Sequence, residues 1–155
     1  MNPLLKKLNY KAQNPIIVLN APASFEPNLQ SIADTTHIDR QVVPPEDGAP
    51  FIEFALFFAT QQSEVDTYAQ QIAPYLKGDA ILWACYPKGG SKRYHCDFNR
   101  DTGWAILGNY DLEGVRMVAI DEDWSALRFR KTRYIKTLTR QFAALSASGR
   151  DKQSE

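Results

Sequence analysis

Three largely apolar runs, the second of them interrupted by Glu53, constrain the fold of this chain more than any other feature of its sequence. They lie at residues 16–20 (IIVLN), 51–59 (FIEFALFFA) and 80–86 (AILWACY). Runs of this length, rich in β-branched and aromatic residues, predict strands buried on both faces, as the strands of parallel sheets are. The sequence therefore predicts an α/β protein with a mostly parallel sheet.

Shorter patterns complete the predicted order of elements. Helical spacing and capping residues predict helices at residues 3–10, 24–33, 63–78, 102–110 (ending near Gly114) and 134–145. Three further strands are predicted at residues 38–43, 115–120 and 125–130. Because about four residues join the last two strands, these strands can pair only as an antiparallel hairpin.

The predicted fold is a single, mostly parallel, twisted sheet of about six strands with helices on both faces. This arrangement is Rossmann-like and ends in the antiparallel hairpin. The chain has 155 residues, 44% of them hydrophobic, which fits one domain; we expect it at residues 1–145, before a disordered tail at residues 146–155. The N-terminus lacks a signal-peptide pattern, and no apolar run nears about 18 residues, which predicts a cytoplasmic protein without a membrane segment.

Two short motifs are more specific than the general pattern of strands and helices. The pattern W-x-x-Y-P-K is formed by Trp83, Tyr86, Pro87 and Lys88, and the pattern D-x-x-W-S-x-L-R by Asp121, Trp124, Ser125, Leu127 and Arg128. With these motifs, residues 3–131 resemble the small bacterial proteins grouped as domain of unknown function 3052. The resemblance implies a Rossmann-like fold. It transfers no catalytic residue, because that family has no established activity.

Polar and charged side chains gather where the predicted strands end. In open parallel sheets, ligands bind beyond the carboxyl ends of the strands. The loop after the third run, YPKGGSKR, is cationic and contains two glycines, but it matches neither GxxxxGK[ST] nor GxGxxG. We therefore predict a non-catalytic site for a small anionic or nucleotide-like ligand of unknown identity, with no cofactor or metal assigned. Its candidate residues are Asn20, Thr60, Lys88, Ser91, Lys92, Arg93, Asp121 and Trp124.

Catalytic alternatives fit the sequence less well, although an enzyme is not ruled out. A methyltransferase-like protein usually has a glycine-rich turn after its first strand, where the backbone approaches the ligand; residues 20–23 here are NAPA. His95, Cys96 and Asp97 are adjacent, but they lack the spacing of a zinc site. No GxSxG motif marks a serine nucleophile.

Charge is distributed unevenly along a chain whose net charge is zero. Residues 1–80 have five basic and nine acidic side chains, a balance of −4, whereas residues 81–155 have thirteen and nine, a balance of +4. This asymmetry makes self-association into a homo-oligomer the alternative function. The basic block at residues 124–140 also contains aromatic residues, but overall neutrality and the adjacent acidic turn at residues 121–123 disfavour nucleic-acid binding.

Overall fold

The computed structural model describes residues 2–98 and 103–135. Its helices are α1 (Pro3–Lys7), α2 (Glu26–Gln30), α3 (Gln62–Ile72) and α4 (Ala105–Gly108). Its strands are β1 (Ile16–Leu19), β2 (Ile38–Asp39), β3 (Ile52–Phe58), β4 (Leu76–Pro87), β5 (Leu112–Ala119) and β6 (Trp124–Lys131). Short 3₁₀ turns lie at Ala23–Phe25, Ala73–Tyr75 and Thr132–Tyr134. None of the described helices is long and apolar enough to cross a membrane.

The six described strands form one mixed sheet in the order β2-β1-β3-β4-β6-β5. Strand β1 pairs in parallel with β2 and β3, and β3 pairs in parallel with β4. Strand β6 lies between β4 and β5 and runs antiparallel to both. The α/β sheet and its terminal hairpin are as predicted. The expected mostly parallel sheet is better described as mixed, because β6 contributes both antiparallel ladders.

The sheet is covered by helices on both faces, and each face has its own apolar layer. On the α3 side, Val65, Ala69 and Ile72 of α3 and Leu107 of α4 pack on the sheet. The α1 side, which also carries α2, has the second layer, with Leu5, Leu8, Phe25 and Leu29 packed on the sheet. Residues 54–58 and 80–87 are buried throughout, which explains why their sequences lack polar alternation.

Two glycines predicted to end helices lie instead within strands. Helix α3 ends at Ile72, before the 3₁₀ turn that contains Pro74, and β4 has begun by Gly78. Gly78 has φ +58° and lies where the pairing of β3 with β4 shifts register, a conformation that glycine adopts without strain. Gly114 lies in β5, where an added Cβ would come within 3.3 Å of the Leu127 side chain. Close packing therefore accounts for Gly114.

Other predicted boundaries were too long or fall outside the described residues. The strand predicted at residues 38–43 is only Ile38–Asp39, and Arg40 instead pairs with Glu26 (2.8 Å). The helix predicted at residues 24–33 is a 3₁₀ turn followed by α2, with Pro27 in the first turn of α2. The predicted helix at residues 102–110 is reduced to α4. Most of the helix predicted at residues 134–145, and the tail at 146–155, lie outside the described residues.

Candidate functional site

The loop that follows β4 is fixed to the turn between β5 and β6. The Lys88 amide donates to the Asp123 carbonyl (2.8 Å), and the Ser91 hydroxyl donates to the Asp123 carboxylate (2.8 Å). The same hydroxyl accepts hydrogen bonds from the amides of Arg93 and Tyr94 (3.2 and 3.1 Å). A hydroxyl offers one donor and two acceptor positions. Ser91, predicted to contact a ligand, is therefore buried and fully used in organising the loop.

The far end of the same loop is fixed to the start of α3. The Asp97 amide donates to the Thr60 carbonyl (3.1 Å). The Asp97 carboxylate accepts from the amide of Gln62 (2.7 Å), the first residue of α3. An N-terminal amide of a helix has no partner within the helix, so this contact satisfies it. The loop thus spans the carboxyl edge of the sheet from the β5–β6 turn to α3.

Between this loop and the sheet lies a cleft of about 430 Å³, a volume in the range of small-molecule sites. It lies at the carboxyl end of β4. Its walls are the rings of Tyr86, Tyr94 and Phe98, the polar residues Lys88, His95, Cys96 and Ser125, and Pro87 and Gly89.

Two buried tryptophans hold the aromatic walls of the cleft in place. The Trp104 ring packs against Tyr86 and Phe98, with centroid distances of 5.4 and 5.2 Å. The Trp124 ring packs against Tyr94 at 4.9 Å. Both tryptophans are nearly completely buried. The aromatic part of the cleft is therefore continuous with the core, which favours a preformed shape.

Lys88 is the basic residue that the β4 loop contributes to the wall of this cleft. Its side chain is half-buried, and within residues 2–98 and 103–135 its amine makes no hydrogen bond or ion pair. No aspartate or glutamate is among the described lining residues. The other two predicted cations, Lys92 and Arg93, are exposed and do not line the cleft. Among the described lining residues, Lys88 therefore supplies the positive charge, while the charge of Asp97, the residue between Cys96 and Phe98, also acts on the Cys96 thiol.

Asp121 and Trp124, also predicted to bind the ligand, shape the β5–β6 turn. The Asp121 carboxylate accepts hydrogen bonds from the amides of Asp123 (2.8 Å) and Trp124 (2.9 Å). The Trp124 ring is buried against Phe58, at a centroid distance of 5.3 Å. Neither residue is among the described residues that line the cleft. Their contacts position the wall of the cleft rather than form it.

Asn20 and Thr60 meet at a separate cluster, where β1 and β3 end. The Asn20 amide group donates to the Phe58 carbonyl (2.9 Å) and to the Glu64 carboxylate (3.0 Å). The other oxygen of Glu64 accepts from the amide and hydroxyl of Thr60 (3.0 and 3.3 Å) and from the Gln61 amide (3.2 Å). The hydrogen-bonding groups of Asn20 and Thr60 are thus directed to Glu64.

No protein-family model and no curated protein matches the chain. Among solved structures, the N-methyltransferase NodS from Bradyrhizobium japonicum WM9 matches with a TM-score of 0.50 and 14% identity, over 84% of this chain and 97% of that chain. The chain shares the α/β fold of NodS.

Two further structures match with lower scores. One is a protein in the NADB-Rossmann superfamily from Streptococcus agalactiae, with a TM-score of 0.44 and 12% identity, over 84% of this chain and 68% of that chain. The other is a chain of a fibrillarin/Nop5p complex, with a TM-score of 0.45 and 9% identity, over 79% and 74% of the two chains.

The cleft holds no activated nucleophile among its described residues. Burial raises the pKa of the Cys96 thiol and the charge of Asp97 acts in the same direction, against a smaller lowering effect of the backbone hydrogen bond with Phe98, so the thiol is protonated at neutral pH. Burial raises the pKa of Cys85 well above its usual range, because its side chain lies inside the core. Within the described chain, no group of three or more His, Cys, Asp or Glu side chains is arranged to hold a metal ion.

Several residues important to the site were missed or misassigned in the sequence. The sequence predicts that helix α3 begins at residue 63, but its N-cap is Gln61, and the carboxylate that bonds the Gln61 amide belongs to Glu64. Glu64 three residues after Gln61 was an available signal, because glutamate at this position of a helix commonly bonds the N-cap amide. The aromatic walls at Tyr94 and Phe98 had no comparable local signal.

Proposed function

We propose that this protein binds a small anionic ligand in the cleft at the carboxyl end of β4, without catalysing a reaction on it. The observation that carries the proposal is the half-buried Lys88 in the cleft wall, whose amine has no hydrogen bond or ion pair among the described residues. An ammonium group that has no partner within the described chain can pair with an anionic ligand.

The remaining walls suggest what else the ligand contains. The half-buried aromatic residues Tyr94 and Phe98 offer apolar surfaces on which a flat group can pack. An anion attached to an aromatic or heterocyclic ring, as in a nucleotide, therefore suits both parts of the cleft. The raised pKa of the Cys96 thiol favours its protonated form, which is a poor nucleophile.

The proposal is tested by thermal denaturation with four probes: inorganic phosphate, pyrophosphate, adenosine monophosphate and adenosylmethionine. A ligand that binds only the folded state raises the melting temperature according to RT ln(1 + [L]/Kd). We expect adenosine monophosphate to stabilise the wild type and the Lys92→Gln variant, and to have little effect on Lys88→Gln. Lys92 is the matched control, because it lies in the same loop but does not line the cleft. An equal response of Lys88→Gln and the wild type would contradict the proposal.

Adenosylmethionine is included because the fold is similar to that of an N-methyltransferase. Against this alternative, the turn after β1 contains no glycine, and Asn20 and Thr60 are engaged with Glu64. If a methyltransferase-like site operates here, adenosylmethionine should bind independently of Lys88, and Asn20→Ala should weaken its binding.

Self-association into a homo-oligomer is the alternative to ligand binding. Strand β5 is at the edge of the sheet, where backbone groups are available to another chain, and its Met117 side chain is 46% exposed. Sedimentation velocity at low and high salt tests it. A salt-sensitive dimer would support association through the unequal charges of the two halves, and a monomer at micromolar concentration in low salt would eliminate it.

A further inference from the structure

Two arginines face each other directly across the terminal hairpin. Arg116 of β5 and Arg128 of β6 are cross-strand partners, and Arg128 is also opposite Trp83 of β4. Like charges in directly opposed positions of antiparallel strands repel each other. Since Trp83 packs in the apolar layer on the α1 side of the sheet, and opposed side chains share a face, both arginines lie on that side.

Arg128 is partly buried, and its side chain makes no hydrogen bond or ion pair with a described residue. It is half-buried, and its Nε atom is buried with no hydrogen-bond partner in the part of the chain that the structure describes. Burial lowers the pKa of its guanidinium, and the nearby charge of Arg130 acts in the same direction. Asp79 opposes them by less, and the lowering effect of Arg116 is the smallest. An arginine remains charged at neutral pH even so. A buried N–H donor without an acceptor is costly. The Nη groups of Arg128 are not among the buried atoms and make no hydrogen bond with a described residue, so that end of the guanidinium is open to an added ligand.

The neighbouring basic residues are already engaged. Arg130 donates two hydrogen bonds to the Asp79 carboxylate (2.8 and 2.6 Å). The Lys131 amine donates to the Leu76 carbonyl (2.9 Å). Arg116 is exposed, and none of the described residues pairs with its guanidinium. Of the four, Arg116 and Arg128 remain available to an added ligand.

We propose that Arg116 and Arg128 together bind one oxyanion, the phosphate group of a small molecule, on the α1 side of the β5–β6 hairpin. Arginine presents a planar fork of donors that matches the geometry of phosphate oxygens. One oxyanion between the two guanidinium groups would replace their repulsion with attraction. Two uncompensated arginines suit a single phosphate, whereas a nucleic-acid backbone requires a series of them.

This site is separate from the Lys88 cleft. The cleft wall includes Tyr86 and Ser125, which are cross-strand partners of β4 and β6. Tyr86 packs in the apolar layer on the α3 side. Because successive side chains of a strand alternate between faces, Ser125 lies on the α3 side and Arg128 on the α1 side. The two proposals can therefore fail independently.

The test is an NMR titration of the full chain with pyrophosphate, observing the arginine Nε–H resonances. We expect the Arg128 resonance to shift on titration, in the wild type and equally in Lys88→Gln. Arg116→Gln and Arg128→Gln should each weaken pyrophosphate binding at this site by about tenfold or more, the usual effect of losing a charge-assisted hydrogen bond. Arg133→Gln is the charge-matched control, because Arg133 is exposed and lies over the Tyr134 ring; it should bind like the wild type.

Three results would overturn the proposal. The first is an Arg128 Nε–H resonance that does not shift with pyrophosphate. The second is unchanged affinity in Arg116→Gln, which removes an exposed side chain and so tests the site even if Arg128→Gln does not fold. The third is loss of the Arg128 shift in Lys88→Gln, which would assign the bound anion to the cleft instead.

Discussion

Replacing Asn20 tests whether the cluster at the ends of β1 and β3 is structural or a ligand site. Asn20 has φ +62°, in the left-handed region that asparagine and glycine tolerate better than other residues. Its side chain also donates to the Phe58 carbonyl and the Glu64 carboxylate (2.9 and 3.0 Å). Both features predict that Asn20→Ala destabilises the fold. Asn20→Gly distinguishes the two contributions, because glycine tolerates the left-handed backbone and loses only the side-chain hydrogen bonds.

The expected magnitudes follow from these two contributions. Alanine in the left-handed region costs about 1 kcal/mol. The two hydrogen bonds, exposed to water in part, contribute about 1 kcal/mol together. We therefore expect Asn20→Ala to lower the free energy of unfolding by about 2 kcal/mol and Asn20→Gly by about 1 kcal/mol. For a chain of this size, these losses correspond to decreases in melting temperature of about 6 and 3 °C.

Urea denaturation followed by circular dichroism measures both variants, and an unchanged m-value would show that only stability has altered. Equal stability of the two variants would refute the contribution assigned to the left-handed backbone. If Asn20→Ala were as stable as the wild type and failed to bind adenosine monophosphate, Asn20 would be the ligand anchor that the sequence predicted.

Three further predictions concern the charges of the hairpin. The Arg130 guanidinium holds the pKa of Asp79 below its usual range, so the pair stabilises the fold above about pH 4 and this contribution is lost as pH falls through the lowered pKa. Because the two side chains are 34% and 36% exposed, Asp79→Asn should lower the free energy of unfolding by less than about 1 kcal/mol at pH 7. A difference in urea midpoint between the variant and the wild type that persists at about pH 2 would contradict this prediction. Arg116→Glu places a negative charge opposite Arg128 and should stabilise the fold by about 0.5 kcal/mol in low salt and by less in high salt. Destabilisation of this variant in a urea titration would contradict the repulsion inferred between Arg116 and Arg128. Fluorescence anisotropy with a labelled oligonucleotide should detect no binding tighter than about micromolar at low salt, whereas submicromolar, salt-sensitive binding would show that the basic block contacts nucleic acid.

The central strands and the terminal hairpin could be predicted from the sequence because local patterns determine them. The apolar runs of β3 and β4 reflect burial on both faces, and the short turn before β6 permits only antiparallel pairing. The glycines were misassigned for a physical reason. Gly78 and Gly114 could each end a helix, but glycine equally permits a bulge or a close approach within a strand, and only the neighbouring strand decides between them.

The candidate site also has a part that the local sequence predicts and a part that depends on distant contacts. The position of Lys88 after β4 followed from the strand that precedes it. The shape of the loop did not, because it depends on contacts distant in sequence: Ser91 with Asp123, and Asp97 with Gln62. The engagement of Asn20 with Glu64 likewise depends on the packing of β1 beside β3. The roles of these residues in binding remain predictions until a ligand is tested.

The most direct test of the proposed function is a map of backbone amide shifts during titration with adenosine monophosphate. Binding in the cleft predicts shifts concentrated at Gly89, Tyr94, His95 and Cys96, in the wild type and in Lys92→Gln, and their loss in Lys88→Gln. Shifts concentrated instead around Asn20, or no shifts at all, would contradict the assignment of the ligand to the Lys88 cleft.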